Sequence, residues 1–280
     1  MKTKNKMFWL LQIIILTIIC IVGCDGNDNQ PNMEYIYPLA IGNSWQYEKT
    51  YKLNFDSLAT KYGLSDTTYY SSGLVEIVNY EVIFDTLEVF NLKSTINEEG
   101  NISVGYEYYN NIDNALFDYG YTSPKMITPK TEQKYSYIMF RNKRFNNVRE
   151  VLNWVKKRCS NNEFSREDSI NYDPVKSLEY PLKKGKQWIF RTEPWGMDKK
   201  VLGWEKVDVA AGKFDCWKIQ FLYTDEDWNI EIIFYDYISE KGFVKRIVKI
   251  NGLNCYDENG EFLGYVDTIE ETILIDYEIK

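Results

Sequence analysis

Two separated stretches of this chain carry one frame, with no gap between the copies. They are Tyr37-Pro38-Leu39-Ala40-Ile41-Gly42-Asn43-Ser44-Trp45-Gln46-Tyr47 and Tyr180-Pro181-Leu182-Lys183-Lys184-Gly185-Lys186-Gln187-Trp188-Ile189-Phe190. Proline fixes φ and ends whatever precedes it, leucine supplies an apolar contact, and glycine permits a tight turn at positive φ. After the turn, Trp45, Tyr47, Lys49 and Tyr51 alternate with Gln46, Glu48, Thr50 and Lys52, the period of a half-buried strand. Each copy is therefore expected to be a turn that delivers a buried aromatic anchor into a sheet.

The same period recurs along the chain. Strands are expected over 74–84, 87–96, 102–108 and 135–140, then over 201–209, 214–223, 229–237 and 242–250. A closing strand sets Ile269, Ile273, Ile275, Tyr277 and Ile279 against Thr272, Leu274, Asp276 and Glu278. Residues 56–72 are expected to be a polar loop, Ala210-Ala211-Gly212 a turn, and Asp257-Glu258-Asn259-Gly260 a hairpin turn. One segment breaks the pattern: Val148, Val151, Leu152, Val155 and Cys159 recur at helical spacing, with Asn146 or Asn147 available as N-cap. Arg149, Lys156, Lys157 and Arg158 fall mostly on the other face, expected in solvent while the apolar stripe packs on the sheet. The predicted fold is all-β, an antiparallel meander closing as a barrel or half-barrel, with one inserted amphipathic helix.

Residues 1–23 have the form of a signal peptide: Lys2, Lys4 and Lys6 precede an apolar run from Met7 to Val22. The run ends Ile21-Val22-Gly23-Cys24, which resembles the bacterial lipobox. That resemblance implies cleavage after Gly23, a diacylglyceryl group on the Cys24 thiol and acylation of the new amino terminus, enough acyl chains for stable anchoring. The expected partner is thus a lipid bilayer, reached through acylated Cys24. Residues 24–33 contain almost no apolar side chains and form a flexible tether. The remainder, 34–280, is a β domain of two related modules, 34–140 and 178–280, joined by a helical and polar segment, 141–177. The expected location is the bacterial cell envelope, with the outer membrane favoured. Asp25 next to the acylated cysteine is compatible with inner-membrane retention in some lineages and with surface export in others.

The formal charge is −8, and the loss of Lys2, Lys4 and Lys6 with the signal takes the remainder to −11, which disfavours nucleic acid. The chain has no histidine, which removes Ser-His-Asp and Cys-His catalysis and histidine metal sites. No catalytic motif, cofactor motif or metal-ligand spacing is recognised. Of the cysteines left after processing, Cys159, Cys216 and Cys255, at most one pair can bridge.

The frame Tyr37-Pro38-Leu39-x-x-Gly42-x-x-Trp45 after a lipobox is followed by Pro181-Leu182-x-x-Gly185-x-x-Trp188. Val207-x-Val209-x-x-Gly212-x-Phe214-x-Cys216 and Gly242-x-Val244-Lys245 come next. Together they resemble a group of uncharacterised envelope lipoproteins of Bacteroidota. The resemblance spans most of 34–250 and implies a barrel-like β domain without catalytic residues. Asp225, Glu226 and Asp227 are read as solvated turn acids rather than a calcium site, and Cys216 as a buried small hydrophobe. Trp45, Trp188, Trp204 and Trp217 are read as core, while Trp154, Trp195 and Trp228 are free to join a sugar-stacking surface. The expected function is non-enzymatic binding or scaffolding. A glycan-binding module would need exposed coplanar rings; a carboxylate hydrolase would need two acids converging in a cleft.

Overall fold

The alternating stretches become strands, and among the described residues 14 of them join one sheet. The computed structural model describes residues 35–280 apart from 84, 123–134, 159–168, 193–195 and 225–230. Neighbours in the sheet are antiparallel throughout. One half runs β8 (Ser169–Glu179), β5 (Ala115–Thr122), β4 (Asn101–Ile112), β3 (Leu87–Glu98), β2 (Thr67–Ile83), β1 (Ser44–Phe55). The other continues β14 (Phe262–Glu278), β13 (Gly242–Tyr256), β12 (Ile232–Ser239), β11 (Gly212–Tyr223), β10 (Met197–Val209), β9 (Gln187–Arg191). Off this path, β6 (Tyr137–Phe140) pairs with β13, and β7 (Lys143–Phe145) with β6. Bulges, such as those between Ile77 and Asn79 and between Val201 and Gly203, add the local twist that curls a sheet on itself.

The curl brings the two edge strands, β8 and β9, together without a ladder between them. Side chains make the seam instead: Trp188 Nε1 donates to the Lys176 carbonyl at 2.9 Å, and Lys199 Nζ to the Ser177 carbonyl at 3.0 Å. The result is a nearly closed barrel.

The two copies of the repeated frame make the same turn. Asn43 N–H bonds the Ala40 carbonyl and Lys186 N–H the Lys183 carbonyl, each at 3.0 Å. Gly42 and Gly185 sit at φ +88° and +84°, where a side chain would be strained. Each turn then docks on the next strand: Gly42 N–H bonds the Ile77 carbonyl, and Gly185 N–H bonds that of Val201. Trp45 and Trp188 are both buried at the starts of β1 and β9, at one end of the barrel. The segment from Tyr35 to Leu39 crosses that end. It is clamped where Tyr180 Oη accepts from Tyr37 N–H and donates to Asn111 Oδ1, while Asn111 Nδ2 donates to the Tyr37 carbonyl.

A helix occupies the other end. Residues 56–72 are not the polar loop expected: Asp56 Oδ1 caps a short helix, α1 (Ser57–Lys61), by accepting from Ala59 N–H, and β2 begins at Thr67. The predicted amphipathic helix is α2 (Val148–Arg158), entered directly from β7. Asn147 Oδ1 accepts from Glu150 N–H, and the Glu150 carboxylate accepts from Asn146 N–H, a reciprocal cap. Val148, Val151, Leu152 and Val155 are buried in the core cluster that contains Phe190, Phe221, Phe234 and Val248. Cys159 lies outside the described residues.

Two details correct the expectations for side-chain direction. Lys156 is not in solvent: one turn after Leu152, it points inward and meets Glu270 at 2.7 Å. On β14 the face that turns inward carries Thr268, Glu270 and Leu274 rather than the isoleucines. The β10–β11 hairpin meets the end of β14, where Ala211 N–H reaches the Leu274 carbonyl and the Phe214 ring meets Tyr277 edge-on.

Candidate functional site, the barrel interior

Between the Tyr35–Leu39 segment and α2 the barrel holds a partly open cavity of about 410 Å³. Its wall is apolar at both ends and charged in the middle. Tyr37, Tyr47 and Tyr109 line it toward the repeated turns; Phe190, Phe221 and Phe234 line it toward α2. In between lie Lys49, Glu107, Asp118 and Lys199, with Asp236, Arg246 and Glu270 completing the belt and Lys156 entering from the helix.

Most of these charges are compensated. Arg246 holds Asp236 in a two-point fork, Nε to Oδ1 at 2.7 Å and Nη2 to Oδ2 at 2.9 Å, with its guanidinium over the Phe234 and Phe243 rings. Glu270 serves two cations, Lys156 at 2.7 Å and Lys49 at 3.9 Å. Burial alone would raise its carboxyl, but the two lysines overcome that and hold it at about 2. Lys156 has only a share of one anion, and burial pulls its ammonium below the ordinary range. Lys199 lies over the Phe190 and Phe221 rings at 4.3 and 4.4 Å.

Two acids on adjacent strands, Glu107 on β4 and Asp118 on β5, behave differently. Asp118 accepts the Gly120 N–H at 2.8 Å; burial, reinforced by the neighbouring Glu107 charge, pushes its carboxyl to about 7 despite Lys199 and Arg191 nearby. Glu107 accepts from the Tyr109 hydroxyl at 3.2 Å, and burial raises it too. Sequence reasoning named neither acid. The available signal was phase: Asp118 follows Leu116, Lys199 lies between Met197 and Val201, and Arg246 between Val244 and Val248, all inward positions.

Several residues singled out from the sequence line the interior or support it. Tyr37 lines the cavity, and Tyr180 fixes it in place. Leu182 is buried with Trp188; Leu39 is half-buried; Pro38 is half-buried and Pro181 exposed. Gly242 and Trp45 belong together: a Cβ on Gly242, at φ +101°, would stand 2.9 Å from Trp45 Nε1. Trp45 Nε1 donates to the Lys241 carbonyl at 2.6 Å. Gly212 opens β11 at φ +130°, and Phe214 and Cys216 are buried on the outer side of the hairpin it begins. Cys216 and Cys255 are buried free thiols, each pushed by burial to about 12, far from thiolate chemistry. Gly23, Cys24, Asp225, Glu226, Asp227, Trp195 and Trp228 lie outside the described residues. Trp154 packs edge-on against Phe140 and Phe145 beneath α2. Among the described residues no group of carboxylates and thiols converges as metal ligands would.

On the outside, Tyr137 and Tyr256 stack at 5.1 Å, followed by Phe262 and Tyr265, with Arg144 over the Tyr137 ring.

No family model matches this chain, and no curated protein matches it. Among solved structures it is similar to a chain from Bacteroides fragilis described as an exported protein with a YmcC-like fold. The identity is 11%, 88% of this chain and 100% of that one are covered, and the TM-score is 0.37. It is also similar to a chain from Parabacteroides distasonis described as a lipoprotein, at 11% identity, with 88% and 100% covered and a TM-score of 0.28. Likenesses this loose establish neither a family nor an activity.

Proposed function

We propose that this chain is a lipid-anchored protein of the bacterial envelope, held in the outer membrane through Cys24, whose barrel binds a small molecule in its interior without transforming it. The observation that carries the binding reading is the cavity of about 410 Å³ with a charged belt. It falls within the size range of small-ligand sites, and a purely structural core has no use for so many desolvated charges. The lipobox carries the anchor.

Native mass spectrometry of the protein purified from its own membranes tests the binding reading. A reproducible added mass that survives gentle activation and departs on unfolding is expected; the bare acylated mass in every preparation would overturn it. The anchor has its own test. Cys24→Ser is expected to take up no labelled palmitate and to stay unprocessed or become soluble, and labelling of that variant would refute the lipobox reading.

A second reading rests on the proximity of Glu107 and Asp118, two raised acids facing one cavity. It makes the barrel a carboxylate-based hydrolase. Turnover of a glycoside or ester panel that vanishes in Asp118→Asn would favour it over binding.

A further inference from the structure

Three of the four acids facing the cavity have cations beside them: Asp236 has Arg246, Glu270 has Lys156 and Lys49, and Asp118 has Lys199 and Arg191. Glu107 forms no salt bridge among the described residues, and its one side-chain hydrogen bond comes from the neutral Tyr109 hydroxyl. Arg246 lies near enough to favour its charge, yet that guanidinium fork is engaged by Asp236. Around Glu107 stand the rings of Tyr37, Tyr47 and Tyr109, all lining the cavity.

Resting on the ligand-binding reading above, we propose that the cavity takes an amphipathic organic cation. Its ammonium sits against Glu107 among the three tyrosines, and its apolar body extends toward Phe190, Phe221 and Phe234. A carboxylate withdrawn from water is costly until a positive charge meets it. Tyrosine faces attract an ammonium and stabilise it further once both are desolvated. The upward displacement of the Glu107 carboxyl marks the same lack of a counter-charge. The opposite polarity is served less well: an anionic headgroup would turn to Lys49 and Lys156, where Glu270 already stands between them, or to Lys199, which lies over the Phe190 and Phe221 rings with Asp118 nearby.

The test uses three probes of equal chain length, hexylamine, 1-hexanol and hexanoate. Each is titrated into the full acylated protein in nanodiscs, with empty nanodiscs subtracted and tryptophan fluorescence as readout. Hexylamine is expected to bind at least about tenfold more tightly than either of the others, a difference of about 1.4 kcal/mol. Glu107→Gln is expected to weaken hexylamine binding by at least about tenfold, to the level that the same variant shows for 1-hexanol. The wild-type comparison stands alone if the variant folds poorly. Equal affinities, or tighter hexanoate, would overturn the cation inference and leave ligand binding intact. No measurable binding of any probe would overturn both.

Discussion

Trp45→Ala is expected to lower the stability of the barrel by about 3–5 kcal/mol, read as a fall in the urea midpoint at unchanged slope. The ring is fully buried, packs beside Tyr37 at 6.0 Å, and donates to the Lys241 carbonyl at 2.6 Å. Truncation leaves a ring-sized void, removes the partner of a half-buried carbonyl, and unties the start of β1 from the β12–β13 turn. Gly242→Ala is expected to act in the same direction from the other side, because its new methyl meets the indole and its φ is unsuited to a side chain. Trp188→Ala should match Trp45→Ala in size, since Trp188 is buried and its indole forms part of the β8–β9 seam. A loss below about 1 kcal/mol at Trp45 would show that the anchor role of the repeated frame is mistaken.

Stability is expected to fall as pH rises from about 4 to about 7, and Asp118→Asn should remove most of that slope. Asp118 in the folded chain is raised from its ordinary 3.8 to about 7, so folding binds a proton that the unfolded chain releases. Its stabilising contribution is therefore complete below about 4 and lost as pH rises through about 7. The corresponding free energy is on the order of 4 kcal/mol, large against the total stability of a domain. Asparagine keeps an oxygen for the Gly120 N–H and carries no charge to desolvate. Glu270 acts oppositely: held at about 2, its stabilisation is present above the ordinary carboxylate range and lost as pH falls through about 2. Thermal melts from pH 3 to 9 should peak in mild acid, and a flat profile in the wild type would refute the raised Asp118.

Alternation made most strands readable in the sequence, and the glycine turns made the repeated frame readable down to Gly42 and Gly185. These are local properties, decided within a dozen residues. The pairings of β6 with β13 and of β1 with β14 join residues far apart, and no local pattern encodes them. The interior belt was half-visible. Lys49 stands in phase with Trp45, Tyr47 and Tyr51, so the pattern put a cation on a buried face without showing that Glu270 would meet it. Lys156 groups with the polar face of the helix only loosely, because its spacing from Leu152 places it on the inward stripe. Burial of charge is decided by a partner, and that partner lies in another strand.

The first and last strands of the chain, β1 and β14, lie side by side in twelve-residue register, while the unladdered seam falls near mid-chain between β8 and β9. The fastening of the two halves is consequently the last of the described strands to be synthesised. Until Phe262–Glu278 exists, β1 shows an open edge and β13 lacks its main partner, Lys245 to Tyr256 included. Such a sheet gathers slowly, because its decisive contact spans nearly the whole chain. β14 is a keystone set last, and a chain truncated before it is an arch without one.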